Sequence, residues 1–447
     1  MKAEADELCQ WLDRLRDRDG VTVEIFAEVV AERRHRLSGG VLTRDAEAAT
    51  EGFAITTDRR GEVSGIGVNG LSAAHVRGGL TTVSAKSGVG ALASPAVIGL
   101  LRNVLAEWSA ALGGFPASEE KACADLLRAA EGAAGSALSG FEAGYSGSLR
   151  HFLVLGPHGW HRSCPQEHHL LEFRATAGEA QGYRRVGTRD GSRWGDWAER
   201  ALPHAAEAGG IARAKRGAPE VREHVMPVVA ARGASGVLAH ELLGHPLEAD
   251  VASSGAAGVT WSAGDRICPL SLNVVDDPFV PDGWGGFPHD DTGHPATRRR
   301  VVHDGVVAGH IDGAGSRRRQ SFQWRPLPRM SNLRVEAGPD RAADLLAGAD
   351  GGLYLVRLGA GKVSDDGRFA VGVAEAFRIR DGAPAEPVAE CVVEGQVAEA
   401  IARIEGIGDD PAMGSPAACG KFGQDVPVGD GGPTLLITGL TVRPGSL

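Results

Sequence analysis

The sequence predicts a mixed α+β protein, with an N-terminal part of helices and strands followed by a strand-rich C-terminal domain. In the first 217 residues, apolar residues at helical spacing are interleaved with short alternating runs typical of strands. In the second half, strand-like runs are joined by Asp-Gly turns. Glycine contributes 64 of the 447 residues, about twice its average share, which favours many turns over long helices.

The N-terminal part begins with a predicted helix over residues 1–20, with Leu8, Trp11, Leu12 and Leu15 at helical spacing. Residues 21–83 are predicted to form short strands separated by glycine-rich turns. Further helices are predicted over 95–112, 118–138 and 201–216, and strands over 152–155, 160–163 and 170–177. The break at Gly217-Ala218-Pro219 predicts the boundary between an N-terminal domain, 1–217, and a C-terminal domain, 218–447.

The C-terminal part changes in character. A strand over 228–230 and a helix over 235–248 are predicted first. Hairpins follow around Asp304-Gly305 and Asp381-Gly382, because both dipeptides suit two-residue β-turns. The segments 426–428 and 435–442 are again strand-like.

Composition and charge exclude several classes of protein. The chain has 47 Lys and Arg against 57 Asp and Glu, a net charge of −10, which argues against a nucleic-acid-binding surface. No run of 18 apolar residues predicts a membrane span, and the charged N-terminus lacks the apolar segment of a secretory signal. Six scattered cysteines do not resemble a disulfide framework, so we expect a cytoplasmic protein with reduced thiols that are available to a metal.

Two weaker patterns are assigned structural roles. Residues 65–70 match G-x-G-x-x-G, but no Asp or Glu follows before Glu107, so we expect a turn rather than a dinucleotide site. Histidines and a cysteine crowd into twelve residues, but on strands they would point to different faces, so we expect a solvated hairpin rim rather than a metal site. This group comprises His158, His161, Cys164, His168 and His169.

The most informative segment is His240-Glu241-Leu242-Leu243-Gly244-His245. Two imidazoles and a carboxylate on one helix can hold a zinc-type ion and activate water. Histidines five positions apart, however, diverge by about 140° around a regular helix and cannot bind one ion. A π-bulge or kink would bring them together, and Gly244 with Pro246 allows one. A bulged metal-binding helix is therefore predicted, with a surface helix carrying two unrelated histidines as the alternative.

The same segment, extended to Asp250, resembles the H-E-x-x-G-H-x-L-E-x-D signature of the TldD/PmbA metallopeptidases. Other motifs follow in the order found in that family: Val274-Val275-Asp276-Asp277, then 290–297, then Pro328-Arg329-Met330-Ser331-Asn332, then 419–429 with Pro433-Thr434-Leu435. The resemblance is strong over residues 225–442 and only an outline in the first 220. Because several ordered motifs agree, it strongly favours the metal-site interpretation.

This resemblance implies one zinc ion per chain, with His240, His245 and Cys419 as its three ligands and Glu241 as general base and proton shuttle. Such a His₂Cys set leaves one coordination position open, as catalytic rather than structural zinc sites do. Four further residues of these motifs are expected to support the site or to contact substrate: Glu248, Asp250, Asp291 and Asn332.

The resemblance also implies a function, a TldD-like metalloprotease that hydrolyses an amide bond in an unfolded peptide or a small molecule. Because PmbA-type partners typically lack the metal motif, this chain resembles the metal-bearing TldD-type subunit, as a homodimer or a heterodimer with a PmbA-type subunit that encloses the active site. Pro246, where a glycine is usual, and the poorly matched N-terminal half leave the substrate and the partner open. Nucleic acid and membrane are not expected partners.

Two alternatives remain open. One is a metal-dependent amide hydrolase or N-deacetylase that tailors a small metabolite in an antibiotic pathway, such as a lincosamide-like one, which the divergent N-terminal half favours. The other is a non-catalytic regulatory partner subunit, because the family is also linked to DNA gyrase modulation. Loss of the metal motif would mark such a subunit, and the motif is intact here.

Overall fold

The structure, a computed structural model, describes residues 1–60, 62–112, 118–156, 159–163, 165–189 and 194–447. Residues 113–116, Gly-Gly-Phe-Pro, are typical of a linker but lie outside the described residues. So do His158 and Cys164, and with His158 part of the segment 156–159, Gly-Pro-His-Gly, which is typical of a turn.

The N-terminal half is built on a seven-stranded antiparallel sheet. Its order is β3-β2-β1-β4-β6-β7, with β5 added to the end of β4. The strands are β1 (Val21–Ser38), β2 (Val41–Arg59), β3 (Glu62–Asn69), β4 (Gly140–Gly156), β5 (Gly159–Arg162), β6 (Gln166–Ala177) and β7 (Ala180–Thr188). The strands predicted over 152–155 and 170–177 lie within β4 and β6, and the one over 160–163 overlaps β5. The short strands predicted between residues 21 and 59 are instead two long ones, β1 and β2.

Five helices cover one face of this sheet, and the C-terminal half contacts the other. They are α1 (Lys2–Asp19), α2 (Ala73–Ser87), α3 (Pro95–Ala110), α4 (Ser118–Ala134) and α5 (Trp194–Ala214). Because side chains alternate along a strand, Ile25 packs in a cluster with the helices while Phe26 packs against Phe322 of the C-terminal half. The sheet therefore carries a buried apolar layer on both faces.

Helix α2 and strand β3 correct two predictions. Residues 73–83 are helical rather than strand-like, because Ser72 caps the helix and Val76, Leu80 and Val83 face the core at helical spacing. Gly79 allows close packing, since an added Cβ there would lie 2.9 Å from Cζ of Phe53. The G-x-G-x-x-G segment is not a turn, because β3 continues to residue 69 as an edge strand.

Two larger sheets and one two-stranded pair form the C-terminal half. The first has the order β11-β10-β9-β14-β22-β20 with β21 paired to β22, and β12 pairs only with β13. These strands are β9 (Val274–Asp276), β10 (Arg299–His303), β11 (Val306–Val307), β12 (Arg317–Arg318), β13 (Leu327–Pro328), β14 (Asn332–Val335), β20 (Ala412–Met413), β21 (Ala417–Lys421) and β22 (Gln424–Gly432).

The second larger sheet closes on itself, because β15 pairs with both β8 and β16. Its order is β15-β8-β23-β18-β16-β17, with β19 paired to β23. These strands are β8 (His224–Ala230), β15 (Leu353–Val363), β16 (Arg368–Arg380), β17 (Ala383–Pro387), β18 (Cys391–Gln396), β19 (Ile404–Ile407) and β23 (Leu435–Pro444). The α-helices of this half are short: α6 (Ser235–Ala239), α7 (Ala249–Ser254), α8 (Ala342–Ala347) and α9 (Val397–Ala402).

The α+β class with a strand-rich C-terminal part is confirmed by this architecture. Both predicted Asp-Gly turns are present, with φ of 50° and 71° at Asp304 and Gly305 and the same pair of values at Asp381 and Gly382. The domain boundary at 217/218 remains our proposal, and it falls in the segment between α5 and β8. Among the described residues, no helix has both the length and the apolar character needed to cross a membrane.

Candidate metal centre

The predicted bulge takes the form of a single π-turn between α6 and β9. Helix α6 continues into a π-turn at His240–Gly244 and then a 3₁₀ turn at His245–Leu247. The backbone N–H of His245 donates to the carbonyl of His240, five residues back. This wider turn brings the two imidazole rings together, with their centroids 4.8 Å apart.

Core packing accounts for the position of this turn. Leu242 and Leu243 are buried in the C-terminal core and anchor the middle of the turn there. Gly244 lies so close to Met330 that an added Cβ would come within 2.1 Å of the sulfur. Pro246 has no N–H and so cannot continue the helical bonding.

The third donor, Cys419, comes from strand β21. Its Sγ lies 3.4 Å from Nε2 of His245, across 174 residues of sequence. The donor atoms of His240, His245 and Cys419 all lie within 4.8 Å of one another. Within the described part of the chain, this is the group of His, Cys, Asp and Glu side chains with metal-site geometry.

Carboxylates orient both imidazoles. Nδ1 of His240 donates to Oδ1 of Asp430 at 2.8 Å, and Nδ1 of His245 donates to Oε2 of Glu248 at 3.0 Å. Each Nε2 is thereby directed to the ligand position, as in carboxylate–histidine–zinc arrangements. The donor set and its supports therefore fit a divalent zinc-type cation.

Neighbouring charges and burial shift the pKa values of all three ligand side chains. Burial raises the pKa of the Cys419 thiol, but His240 and His245 outweigh this effect and lower the pKa to about 5. Burial lowers the pKa of His245, but Glu248 and Cys419 outweigh it and raise the pKa to about 10. In the same way Asp430 and Cys419 raise the pKa of His240 well above its usual value, against its burial. Without a cation these shifts favour a thiolate at Cys419 and protonated imidazoles at His240 and His245.

Binding of a cation should therefore release about two protons at neutral pH, one from Nε2 of each histidine, because only the unprotonated nitrogen is a ligand. Titration calorimetry of the metal-free protein with Zn²⁺ measures this release. The observed heat should change between buffers of different ionisation enthalpy, in proportion to about two protons. Identical heats in such buffers would contradict the protonated state described here.

Glu248 and Asp250 are tied together by a buried lysine. Nζ of Lys421 donates to Glu248 at 3.1 Å and to Asp250 at 2.7 Å. Burial raises the pKa of Glu248, but His245, Lys421 and Arg329 outweigh it and lower the pKa to about 2. Glu248 thus stays ionised and keeps His245 in place. Arg329 also donates to the backbone carbonyl of Cys419.

Glu241 lies beside the three donors and is itself buried. Burial raises the pKa of its carboxyl, although the neighbouring imidazoles oppose the shift. Strand β15 passes directly against it, since an added Cβ on Gly361 would lie 2.5 Å from Cδ of Glu241. Gly361 therefore determines where the Glu241 carboxylate can lie.

Gly361→Ala should displace the Glu241 carboxylate and lower hydrolytic turnover by about tenfold or more, while metal content stays at the parent level. Gly359→Ala is the matched control, because an added Cβ there meets its nearest atom at 3.6 Å. Turnover and metal content should be measured on the same preparations. Parent-level turnover of Gly361→Ala would contradict the positional role of this glycine.

Asp291 and Asn332 do not line the cavity described below. Asp291 accepts from Arg150 at 2.8 Å and so joins the two halves of the chain. Asn332 is buried, donates to the carbonyl of Asp277 and accepts from the N–H of Gly285. Both residues have structural contacts, and a role for either in supporting the ligands or contacting substrate stays a prediction.

The histidine-rich segment is not a solvated rim. His169 is buried and hydrogen-bonded to Tyr145 at 2.9 Å. Nε2 of His168 donates to the carbonyl of Trp284, and burial lowers the pKa of His168 to about 3. His161 stacks on His289 at 4.0 Å between centroids. The C-terminal half thus contacts His161 and His168, while His169 lies on the helix-covered face of the sheet. Side-chain alternation along the strand does not show which elements cover each face.

A cavity of about 1080 Å³ opens onto the donors. It is lined by residues of the π-turn and of β7, β15 and β21, so both halves of the chain contribute to it. Asp430, Lys421 and Gly361 were not identified from the sequence as site residues. Asp430 and Lys421 lie next to or within the quoted C-terminal motif, which was the available signal.

Comparison with known proteins places this arrangement in context. Residues 223–444 match the PmbA/TldA metallopeptidase C-terminal domain. The metalloprotease TldD homolog of Haemophilus influenzae is 32% identical over 256 residues, which cover 54% of this chain and 53% of that protein. A metalloprotease of Methanothermobacter thermautotrophicus is 34% identical over 214 residues, 45% of this chain and 47% of that protein. The chain thus spans about half the length of these curated relatives.

Solved structures share the fold along nearly the whole chain. A candidate modulator of DNA gyrase from Thermotoga maritima superimposes with a TM-score of 0.69 at 16% identity, covering 98% of this chain and 99% of that one. TldE from Thermococcus kodakarensis gives a TM-score of 0.64 at 15% identity, with coverage of 98% and 100%. Through its C-terminal domain and its metalloprotease relatives, the chain belongs to the TldD/PmbA family.

Proposed function

We propose that the chain is a TldD-like metalloprotease that hydrolyses an amide bond with one zinc ion per chain, held by His240, His245 and Cys419. The observation that carries this proposal is the convergence of three donor atoms within 4.8 Å, beside the buried carboxylate of Glu241. Homologues named metalloprotease, each matched over about half its length, support the same reaction class.

The chain's own residues supply the acid and base chemistry. A zinc ion in this site would lower the pKa of a water molecule and polarise the scissile carbonyl. Glu241 accepts a proton from the attacking water as the new C–O bond forms, and donates it to the amide nitrogen as the C–N bond breaks. Its burial, which raises the pKa of the carboxyl, suits it to hold that proton between the two steps.

We propose an extended peptide as the substrate. Strand β15 pairs with β8 only through Leu353–Leu355, while residues 356–361 line the cavity. On the β8 side, that stretch has no further strand partner among the described residues, so a peptide could add there through main-chain hydrogen bonds. No observation of this kind favours the metabolite-tailoring or regulatory alternatives.

The partner and the location of the protein are part of the same proposal. A cavity that both halves of the chain line, with His240 and Cys419 buried and His245 half-buried in its wall, suits unfolded rather than folded substrates. We propose a dimer in the cytoplasm, as a homodimer or with a PmbA-type subunit. The fold shared with TldE supports the second arrangement.

Metal analysis combined with chelation tests the proposal. The purified protein should contain about one zinc ion per chain, and prolonged chelation should abolish hydrolysis of a quenched fluorescent peptide. Added Zn²⁺ should restore it. Absence of metal, or hydrolysis that survives removal of the metal, would overturn the proposal.

A further inference from the structure

The part of the cavity wall outside the metal site is unusually basic for a chain of net charge −10. Its arginines come from the N-terminal sheet, from strand β15 and from the segment after β8. Among the cavity-lining residues outside the metal site, the acidic side chain is Glu207, against five arginines: Arg174, Arg184, Arg185, Arg232 and Arg357. This wall is therefore suited to a negatively charged group.

Two of these arginines are already neutralised. Arg184 donates to Glu207 at 3.0 Å and to Glu375 at 2.9 Å. Arg185 donates to Glu172 at 2.8 Å and to the carbonyl of Pro416. Their guanidinium groups are thus engaged in holding the wall together.

Arg357 differs from these two. Its guanidinium lies over the ring of Tyr183, 4.5 Å from the centroid, and no hydrogen bond or ion pair joins it to any residue that the structure describes. Burial lowers the pKa of Arg357 to about 10, and the positive charges of Arg184 and Arg185 add to that shift. The group is still protonated at neutral pH, so a partly buried cation lies in the cavity with its hydrogen-bond donors unused.

Arg357 lies on the same strand, β15, as the glycine that contacts the proposed general base. It lies four residues before Gly361, the residue that packs against Glu241. Four residues of an extended strand cover about 13 Å, so a peptide lying along β15 would place a residue beside Arg357 about four positions from the scissile bond.

We propose that Arg357, supported by the ring of Tyr183, binds a carboxylate of the substrate about four residues from the scissile amide. The guanidinium fork matches a carboxylate through two parallel hydrogen bonds. That carboxylate is either the C-terminus of a short peptide or an acidic side chain. The inference deepens the proposed function and rests on it, because it assumes that the substrate lies in this cavity.

Peptide binding tests the inference without requiring turnover. The full chain with Glu241→Gln is titrated into eight-residue Ala/Ser peptides that carry an uncharged BODIPY label at the N-terminus, and anisotropy gives the Kd. One peptide has a free C-terminal carboxylate and one has a C-terminal amide. A further series keeps the amide and places a single Glu at one position in each peptide. At least one of the carboxylate-bearing peptides should bind about tenfold or more tightly than the neutral amide. Which of them does so identifies the source of the carboxylate.

Arg357→Met in the same background should bring the Kd of the preferred peptide to that of the neutral one. Arg368→Met is the matched control, since Arg368 is on the neighbouring strand β16, is mostly exposed and lies outside the cavity. Circular dichroism checks folding, and Arg357→Gln replaces the methionine variant if that variant does not fold. Equal affinity for the neutral and all carboxylate-bearing peptides, or a preference that survives in the Arg357 variant, would overturn the inference. Absence of hydrolysis by the parent chain would instead overturn only the proposed reaction.

Discussion

Glu241→Gln should reduce peptide hydrolysis by about 10²–10⁴-fold while the protein keeps about one metal ion per chain. The carboxylate lies beside the three donors and is not one of them, so an isosteric amide should leave the ligand set intact. Glutamine cannot accept a proton from water, so the substitution should abolish the proton-transfer step.

Turnover and metal content on the same preparations measure this effect. Glu394→Gln is the control, because Glu394 pairs with Arg443 outside the cavity and should leave both quantities at parent levels. If Glu241→Gln hydrolyses peptide at the parent rate, the general base is a different residue. If it loses the metal, Glu241 is a ligand rather than a base.

Cys419→Ala should lose metal affinity and hydrolysis together. The two imidazoles lower the pKa of this thiol to about 5, so it offers a thiolate to the cation at neutral pH. Removal of a thiolate leaves two imidazole ligands, which is fewer than the three protein ligands of catalytic zinc sites. We expect metal content well below one ion per chain and no measurable turnover.

Cys391→Ala provides a matched control for a buried thiol. Cys391 is as buried as Cys419, but it lies in β18 with no imidazole beside it, and burial raises the pKa of its thiol to about 12. Its replacement should leave metal content and turnover unchanged. A Cys419→Ala protein that holds its ion as tightly as the parent would show that the third ligand lies elsewhere.

The local parts of the fold followed from sequence pattern. The helix α1, the strand character of residues 21–59 and both Asp-Gly hairpins were predicted because apolar periodicity and turn chemistry act over a few residues. The length of β1 and β2 was not, since short strands were expected there. Helix α2 was missed because Gly78 and Gly79 weaken its helical signal, while the packing against Phe53 that requires Gly79 is visible only in the structure. The burial of His169 was missed because it lies beside Tyr145 on the face of the N-terminal sheet that the helices cover.

The sequence by itself determined the class of site. His240 and His245 are five positions apart, and helix geometry then requires a wider turn if both are to bind one ion. That turn is local, so its residues Gly244 and Pro246 could be identified in advance. Cys419 was assigned by resemblance alone, since spacing along the chain says nothing about a donor 174 residues away.

Only the tertiary structure decided what surrounds the three donors. The pairing of His240 with Asp430 joins residues 190 apart, and the contact of Gly361 with Glu241 depends on how β15 closes its sheet. The position of Arg357 in a cavity lined by both halves of the chain is likewise visible only in the structure. Such contacts depend on the packing of sheets and on which charges are already neutralised, and neither property is encoded in local spacing.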